Sequence, residues 1–188
     1  GETVDIDGCS WTQLDDDGDG VANGVDICPL TPTGETADAD GCHGGSVVAW
    51  GEYAWNYGND TSTASSDLSS RVIEIFSTNT AFAALKSDGS VAVWGVSPGA
   101  GDCNPASNDT SWTSVCSDLS SGIIKIFSTY NAFAALKSDG SVVTWGHTYG
   151  GNSSSVSSDL SSGVIDISST YSAFAALKSD GSVVTWGA

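Results

Sequence analysis

A single motif, present three times, limits the folds open to this chain more than any other feature. It reads FAALKSDGSVAVWG at residues 82–95 and FAALKSDGSVVTWG at both 133–146 and 174–187. A shorter copy, GGSVVAWG, occupies residues 44–51. The Trp-Gly ends recur at intervals of 44, 51 and 41 residues. Periods of this length are typical of propeller and solenoid proteins.

Each repeat predicts short antiparallel strands. Apolar stretches such as VIEIF and AFAAL fit buried strands, and Ser-Asp-Gly fits a hairpin turn in which Gly accepts a positive φ. In the returning strand, Val142 and Thr144 are expected on one face, with Val143 and Trp145 on the other. One unit is therefore a hairpin with one or two further strands, which resembles a propeller blade. The repeated Phe and Trp residues are predicted to pack between blades. They are Phe82, Phe133, Phe174, Trp94, Trp145 and Trp186.

The predicted fold class is mostly β, with three propeller-type antiparallel repeats at 52–95, 96–146 and 147–187 within a domain spanning 43–188. Closed propellers have at least four blades, so an open or partial propeller is expected. Residues 44–51 are expected to be an orphan strand, equivalent to the last strand of a missing blade. Open sheet edges seek partners, either copies of the chain or neighbouring repeats of a longer one.

The first 42 residues differ physically from the rest. They carry eleven acidic residues and no Lys or Arg, within a chain whose formal net charge is −18. They also hold too few apolar residues to build a core, so metal ions or disulfides are needed to order them. The charge argues against nucleic acid and anionic membrane as partners. No apolar run is long enough to span a bilayer.

Residues 15–26 have the spacing of a calcium loop. Oxygen-bearing side chains fall at positions 1, 3, 5, 9 and 12, and Gly20 falls at position 6, where a sharp turn is needed. Calcium is therefore the expected cofactor. The alternative is a solvated acidic linker, and five simultaneous matches favour the metal. The expected ligands are Asp15, Asp17, Asp19, the Val21 carbonyl, Asn23 and Asp26.

Residues 15–42, DDDGDGVANGVDICPLTPTGETADADGC, resemble a thrombospondin type 3 repeat. The resemblance implies an extracellular, calcium-filled segment with almost no core, in which Asp38 and Asp40 serve a neighbouring ion. Asn23 stands where that family more often has Asp. GETVDIDGC at 1–9 recurs as GETADADGC at 34–42, so the chain is expected to open with the tail of a preceding repeat. Asp5 and Asp7 are then ligands of a second, incomplete site.

The five cysteines are expected to form disulfides in such a setting. The expected pairs are Cys28–Cys42 and Cys103–Cys116. Cys9 is left over, with its partner either before residue 1 or on a neighbouring molecule. A different pairing, such as Cys9–Cys28, stays open.

The FAALKSDGSVVTWG units resemble the repeat of the regulator of chromosome condensation family, over about residues 44–188. That family shares the Ala-Leu strand, the Asp-Gly turn and the terminal Trp-Gly, and the resemblance implies propeller blades. Ser-rich loops such as HTYGGNSSSVSSDLSS replace the loop that usually follows its Trp-Gly. Nucleotide-exchange activity is therefore not carried over.

No catalytic constellation stands out, and we expect a non-enzyme. His43 and His147 lie in Gly-rich loops and are expected to be solvated. The recurrent Asp residues of the Asp-Gly turns have structural reasons to be there. Asn-x-Ser/Thr sequons lie in the loop after each Trp-Gly, where either glycan attachment or the Ser-rich composition explains them. They begin at Asn59, Asn108 and Asn152.

Two functions are predicted. The first is an extracellular structural protein. In it the acidic segment 1–42, which we call the connector, is stiffened by calcium and is joined to β repeats that assemble head to tail in a surface fibre or filament. The second is an extracellular binding or adhesion module whose loops recognise a glycan or a surface protein. Its contact aromatics are expected in the variable loops, at Tyr53, Trp55, Tyr57, Trp112 and Tyr149.

Overall fold

The computed structural model describes residues 68–95 and 113–188, with 42–49 and the separate positions 18, 20–22, 28, 37 and 39. Nine strands form three separate sheets in this part of the chain, each an antiparallel meander of consecutive strands. The predicted mostly β fold of three propeller-type repeats is confirmed. The strands are β1 Val72–Ser77, β2 Ala81–Lys86 and β3 Val91–Gly95; β4 Ile123–Ser128, β5 Ala132–Lys137 and β6 Val142–Gly146; β7 Val164–Ser169, β8 Ala173–Lys178 and β9 Val183–Gly187.

Each blade has two apolar faces, because side chains alternate along its strands. We call the side that packs on the preceding blade the front face, and the side that packs on the following blade the rear face. In the second blade, Phe133 and Trp145 belong to the front face, whereas Ala134 and Val142 belong to the rear face. The alternation predicted for the returning strand is confirmed, since Val143 packs with Trp145 and opposite to Val142.

The predicted aromatic core is present in all three blades. A Phe and a Trp opposite each other on β2 and β3, or their equivalents, stack with ring centroids 5.1–5.2 Å apart. In the second and third blades both rings are buried against the preceding blade. In the first blade Trp94 is buried, but Phe82 is only partly buried.

Two features recur at the strand ends of every blade. The Asp-Gly turn joins the second and third strands, with its Gly at φ +76° to +86° as predicted. A register shift occurs near the start of the first strand, between Val72 and Glu74 and at the equivalent positions. This bulge turns Ile124 and Ile165 outward into solvent while the residues on either side stay in the ladder.

Successive blades are joined by apolar packing and by backbone hydrogen bonds. At the turn end, the Ile123 N–H donates to the Gly89 carbonyl and the Val91 N–H donates to the Leu119 carbonyl, both at 2.9 Å. Val164 and Val142 make the same bonds, to the Gly140 and Leu160 carbonyls, at the next joint. At the opposite end of the strands, the Asn79 N–H donates to Tyr130 and the Tyr130 N–H donates to Tyr171. The two joints are therefore copies of one another.

Short helical elements lie between the blades. They are α1 Thr113–Asp118, α2 Thr148–Gly151, which is kinked at Tyr149 and Gly150, and a 3₁₀ helix at Ser154–Val156. The Gly150 carbonyl accepts a hydrogen bond from the buried Trp186 Nε1 at 2.9 Å. In the part of the chain that the structure covers, no helix has the length and apolar character needed to cross a membrane.

Candidate assembly faces and binding rim

The rear face of the third blade repeats the surface that its neighbours use for packing, yet it is open. Leu85 and Leu136 are each 3% exposed in the inner joints, whereas the equivalent Leu177 is 41% exposed. Val183, equivalent to Val142, is 60% exposed. Ser168 stands where the first two blades have Phe76 and Phe127, so this face is less apolar than the two inner ones.

The backbone at this open face is also aligned for a further joint. In both inner joints, the turn Gly carbonyl accepts one bond and the Val N–H two residues later donates another. The corresponding Gly181 carbonyl and Val183 N–H have no backbone partner within the described ranges. The Tyr171 N–H, equivalent to the donors of Asn79 and Tyr130, has none there either. Three hydrogen-bonding groups thus lie in the positions where the inner joints use them.

The front face of the first blade is covered by the segment 45–49, which we call the cap. Gly45 exchanges both backbone hydrogen bonds with Val72, and the Val47 N–H donates to the Leu68 carbonyl at 2.9 Å. The bonds from Val72 to Gly45 and from Val47 to Leu68 match those that Gly89 and Val91 make at the next joint, where the Gly89 N–H donates to Lys86 instead. The cap therefore lies where the third strand of a preceding blade would lie, and Val47 packs on the cluster that contains Trp94.

The cap pairs with the first blade through a single isolated β-bridge at Gly45 and covers less than a whole blade does. Ile126 and Ile167, on the front faces of the second and third blades, are 2% and 3% exposed. Their equivalent in the first blade, Ile75, is 48% exposed. The front face of the first blade is thus only partly buried.

One rim of the array carries exposed tyrosines and no charged side chain. It comprises the loops 77–81, 128–132 and 169–173 and the segment 147–153, and we call it the tyrosine rim. The rings of Tyr130 and Tyr171, from adjacent blades, stack with centroids 4.7 Å apart. Both are exposed, as is Tyr149. Sequence reasoning picked out Tyr149 but missed the other two, although STNTA, STYNA and STYSA occupy equivalent positions.

His147 is partly exposed on this rim, and the expectation that it is solvated rather than catalytic stays a prediction. Its Nδ1 accepts a hydrogen bond from the Tyr149 N–H at 3.3 Å, and its ring contacts the Tyr149 ring. His43 is also partly exposed, and its Nδ1 atom is buried with no hydrogen-bond partner among the described residues.

The opposite rim, which we call the aspartate rim, carries the three Asp-Gly turns. Asp139 Oδ1 accepts both the N–H and the hydroxyl of Ser141, and these bonds lower the pKa of Asp139. Asp180 and Ser182 repeat the arrangement. These bonds give the Asp residues a structural role in the turn, which is the role predicted for them. Among the described residues no three His, Cys, Asp or Glu side chains are grouped as a metal site.

A line of charges crosses the blades on their first strands. Glu74, Lys125 and Asp166 each lie opposite the Leu of the second strand, so they hold one register. Lys125 Nζ is 3.1 Å from Asp166 Oδ1, and this contact lowers the pKa of Asp166. Side chains at this position of adjacent blades can therefore touch.

The connector is described at few positions. Cys28 and Cys42 are joined by a disulfide, the pairing expected from the sequence, and both are buried. Gly20 has φ +94°, a conformation suited to position 6 of the calcium loop. Val21 is also described, but the side-chain ligands expected for calcium lie outside the described residues. They are Asp5, Asp7, Asp15, Asp17, Asp19, Asn23, Asp26, Asp38 and Asp40.

Several other predictions concern positions or side chains outside the described structure. The pairing of Cys9, Cys103 and Cys116 stays a prediction. Of the three sequons, the described one begins at Asn152, which is exposed and whose Oδ1 accepts the Ser154 N–H at 3.0 Å. The remaining positions outside the described ranges are Asn59, Asn108, Tyr53, Trp55, Tyr57 and Trp112.

Comparison with known proteins adds little to this geometry. No protein-family profile matches the chain, and no curated protein does. Among solved structures, it is similar to a chain of the crystal structure of Kap60 bound to yeast RCC1 (Prp20), with 19% identity and a TM-score of 0.41. The match covers 62% of this chain and 29% of that one, so this chain spans less than a third of its length.

The strand pairing, and not this likeness, defines the class of protein. Three consecutive antiparallel meanders pack front to rear, with the same backbone bonds at each joint. The described part of the chain is an open array of three propeller-type β blades.

Proposed function

We propose that the chain is an extracellular structural protein, a β-repeat subunit that assembles head to tail into a surface fibre or filament. The observation that carries this proposal is the rear face of the third blade. It presents the apolar positions and the three backbone groups with which each inner blade binds its neighbour. Such a face is a template for another blade of the same kind, and a head-to-tail contact builds rings or filaments.

In this proposal calcium stiffens the acidic connector that precedes the blades. Asp15, Asp17, Asp19, Asn23 and Asp26 would hold the ion with the Val21 carbonyl, as in the thrombospondin type 3 repeats that this segment resembles. The positive φ of Gly20 and the Cys28–Cys42 disulfide support this reading, because both suit a compact loop wrapped around an ion. Calcium would order the connector, because the connector has too few apolar residues to form a core of its own.

The test of assembly is sedimentation of the chain over a range of concentrations, followed by negative-stain electron microscopy. Ordered filaments that lengthen with concentration are the expected result. Discrete monomers at all concentrations would refute the proposal. Limited proteolysis in calcium and in chelator tests the connector separately. Faster cleavage within residues 10–42 in chelator, with intact blades, is expected, and no difference would remove calcium from the proposal.

The tyrosine rim favours a second function, an extracellular binding or adhesion module. Exposed Tyr, Ser and Asn side chains on a rigid scaffold are typical of recognition surfaces, and this rim has no charge in a strongly acidic chain. A neutral glycan fits it better than a charged ligand does, since a sugar ring can stack on the exposed Tyr171. Binding of monomeric chain to an array of neutral glycans tests this function. Tyr171→Ala should abolish such binding and Ile124→Ala, an exposed change on the outer strand, should not.

A further inference from the structure

The cap and the last strand of the array are nearly the same sequence. Residues 45–51 read GSVVAWG and residues 181–187 read GSVVTWG, so they differ only at Ala49 and Thr185. The cap makes the joint bonds with Val72 and Leu68 that β3 and β6 make with the blades that follow them. β9 carries the same groups and has no following blade among the described residues. The last strand of the array, β9, therefore matches the site that the cap occupies on the first blade.

We propose that the cap is a replaceable cover: β9 of a second copy of this chain displaces residues 45–49 and docks the rear face of its third blade on the front face of the first blade. This inference rests on the proposed head-to-tail assembly and gives its mechanism. In the new joint the Val72 N–H donates to Gly181 and the Val183 N–H donates to the Leu68 carbonyl. Tyr171 then donates to Asn79 at the tyrosine rim, as Tyr130 does to Tyr171 within the chain.

Exchange increases the apolar area that is buried. The cap brings one extended segment to the front face and leaves Ile75 about half exposed, whereas a whole blade buries the equivalent Ile126 and Ile167. Docking also covers Leu177 and Val183 on the incoming blade. The bonds at the Val72 N–H and the Leu68 carbonyl are replaced, the bond from Gly45 to the Val72 carbonyl is lost, and the Tyr171 N–H contributes a new bond. Ser168 in place of Phe makes this joint weaker than the inner joints, so the exchange is expected to be reversible.

The charge line controls the same joint. Adjacent blades bring Lys125 and Asp166 together at 3.1 Å, and the joint between copies would bring Asp166 against Glu74 of the other copy. Two carboxylates at that distance repel each other, and salt screens the repulsion. Assembly should therefore strengthen as ionic strength rises. Glu74→Gln should remove this local repulsion and its salt dependence, and Glu74→Lys should replace it by an attraction that salt weakens.

The test loosens the cap without changing the blades. Val47→Asn removes the cap side chain that packs near Trp94, and Val48→Asn is the matched control, because Val48 is the next residue of the cap and is 76% exposed. Leu177→Asn blocks the rear face. Association of each variant is measured by analytical ultracentrifugation, with circular dichroism as the check on folding. We expect Val47→Asn to lower the concentration for half-assembly by about ten-fold, Val48→Asn to leave it unchanged and Leu177→Asn to abolish assembly.

The outcomes separate this mechanism from the proposed function. If the unmodified chain assembles and Val47→Asn associates no better than Val48→Asn, copies join without exchange, and the cap mechanism is overturned while head-to-tail assembly stands. If neither the unmodified chain nor folded Val47→Asn associates, both fail. Assembly that survives Leu177→Asn would assign the contact to another surface and also overturn the mechanism. Should Val47→Asn lose its folded signal, the same comparison is made with Val47→Ala and Val48→Ala.

Discussion

Truncating the same leucine in the second and third blades should have very different effects on stability. Leu136 and Leu177 lie in identical FAALKSDG segments, but Leu136 is 3% exposed between two blades and Leu177 is 41% exposed on the open rear face. Their local sequence, strand and turn are the same, so any difference in the free energy of unfolding comes from the blade that covers one and not the other. The pair thus isolates the contribution of the joint.

The magnitude follows from burial. Leu136→Ala removes buried methyl groups and leaves a cavity in the joint, which costs about 2–5 kcal/mol. Leu177→Ala creates no closed cavity and removes a side chain that still contacts solvent, so a loss of about 1 kcal/mol is expected. The predicted difference is therefore at least about 1 kcal/mol, in favour of the Leu177 variant.

Denaturant unfolding of dilute, monomeric chain measures this difference. The buried Trp145 and Trp186 lie in the second and third blades and report their unfolding by fluorescence. Low concentration is needed because assembly would bury Leu177 and raise its apparent contribution. Equal losses for the two variants, or a larger loss for Leu177→Ala, would refute the packing argument and would mean that the blades are stable independently of one another.

Three further predictions concern the turns and the connector. Gly140→Ala should destabilise the chain more than Gly181→Ala, by about 1–3 kcal/mol in denaturant melts, because both have positive φ but only at Gly140 would a Cβ meet a backbone nitrogen at 2.8 Å. The bonds from Ser141 to the Asp139 carboxylate should stabilise the folded chain at pH values above 3.8, the ordinary pKa of Asp, and this stabilisation should be lost as the pH falls through the lowered pKa of folded Asp139. Ser141→Ala should return the pKa of Asp139 towards 3.8 in an NMR titration, and an unchanged pKa would contradict the assignment. Reducing Cys28–Cys42, which closes a loop of 14 residues, should weaken the connector by about 3 kcal/mol and admit proteases there while the blade fluorescence persists.

The repeated sequence was enough to predict the blades because its signals are local. Alternating apolar residues, a Gly that accepts positive φ and a Phe opposite a Trp act within one hairpin, and all appear in the structure as expected. The Ser-Asp pairing in the turns is equally local, since Asp139 bonds a residue only two positions away. Even the cap could be suspected, because GGSVVAWG is a fragment of the repeat.

The sequence alone did not predict how buried each of the three repeats is. Leu85, Leu136 and Leu177 are indistinguishable in their segments, and only the packing of blades makes the last one exposed. Tyr130 and Tyr171 lie 41 residues apart, and their stacking depends on how two blades align at a joint. The same is true of the contact between Lys125 and Asp166.

The sequence by itself thus determined the blade: its strands, its turn and the two faces that must be buried, all fixed by contacts between residues close in the chain. The tertiary structure decided which of those faces is covered. The first blade is covered by the short cap segment, the inner faces by a whole neighbouring blade and the last face by none within the described chain. Burial is a property of the space between blades, and identical residues have different free energies there because their surroundings differ.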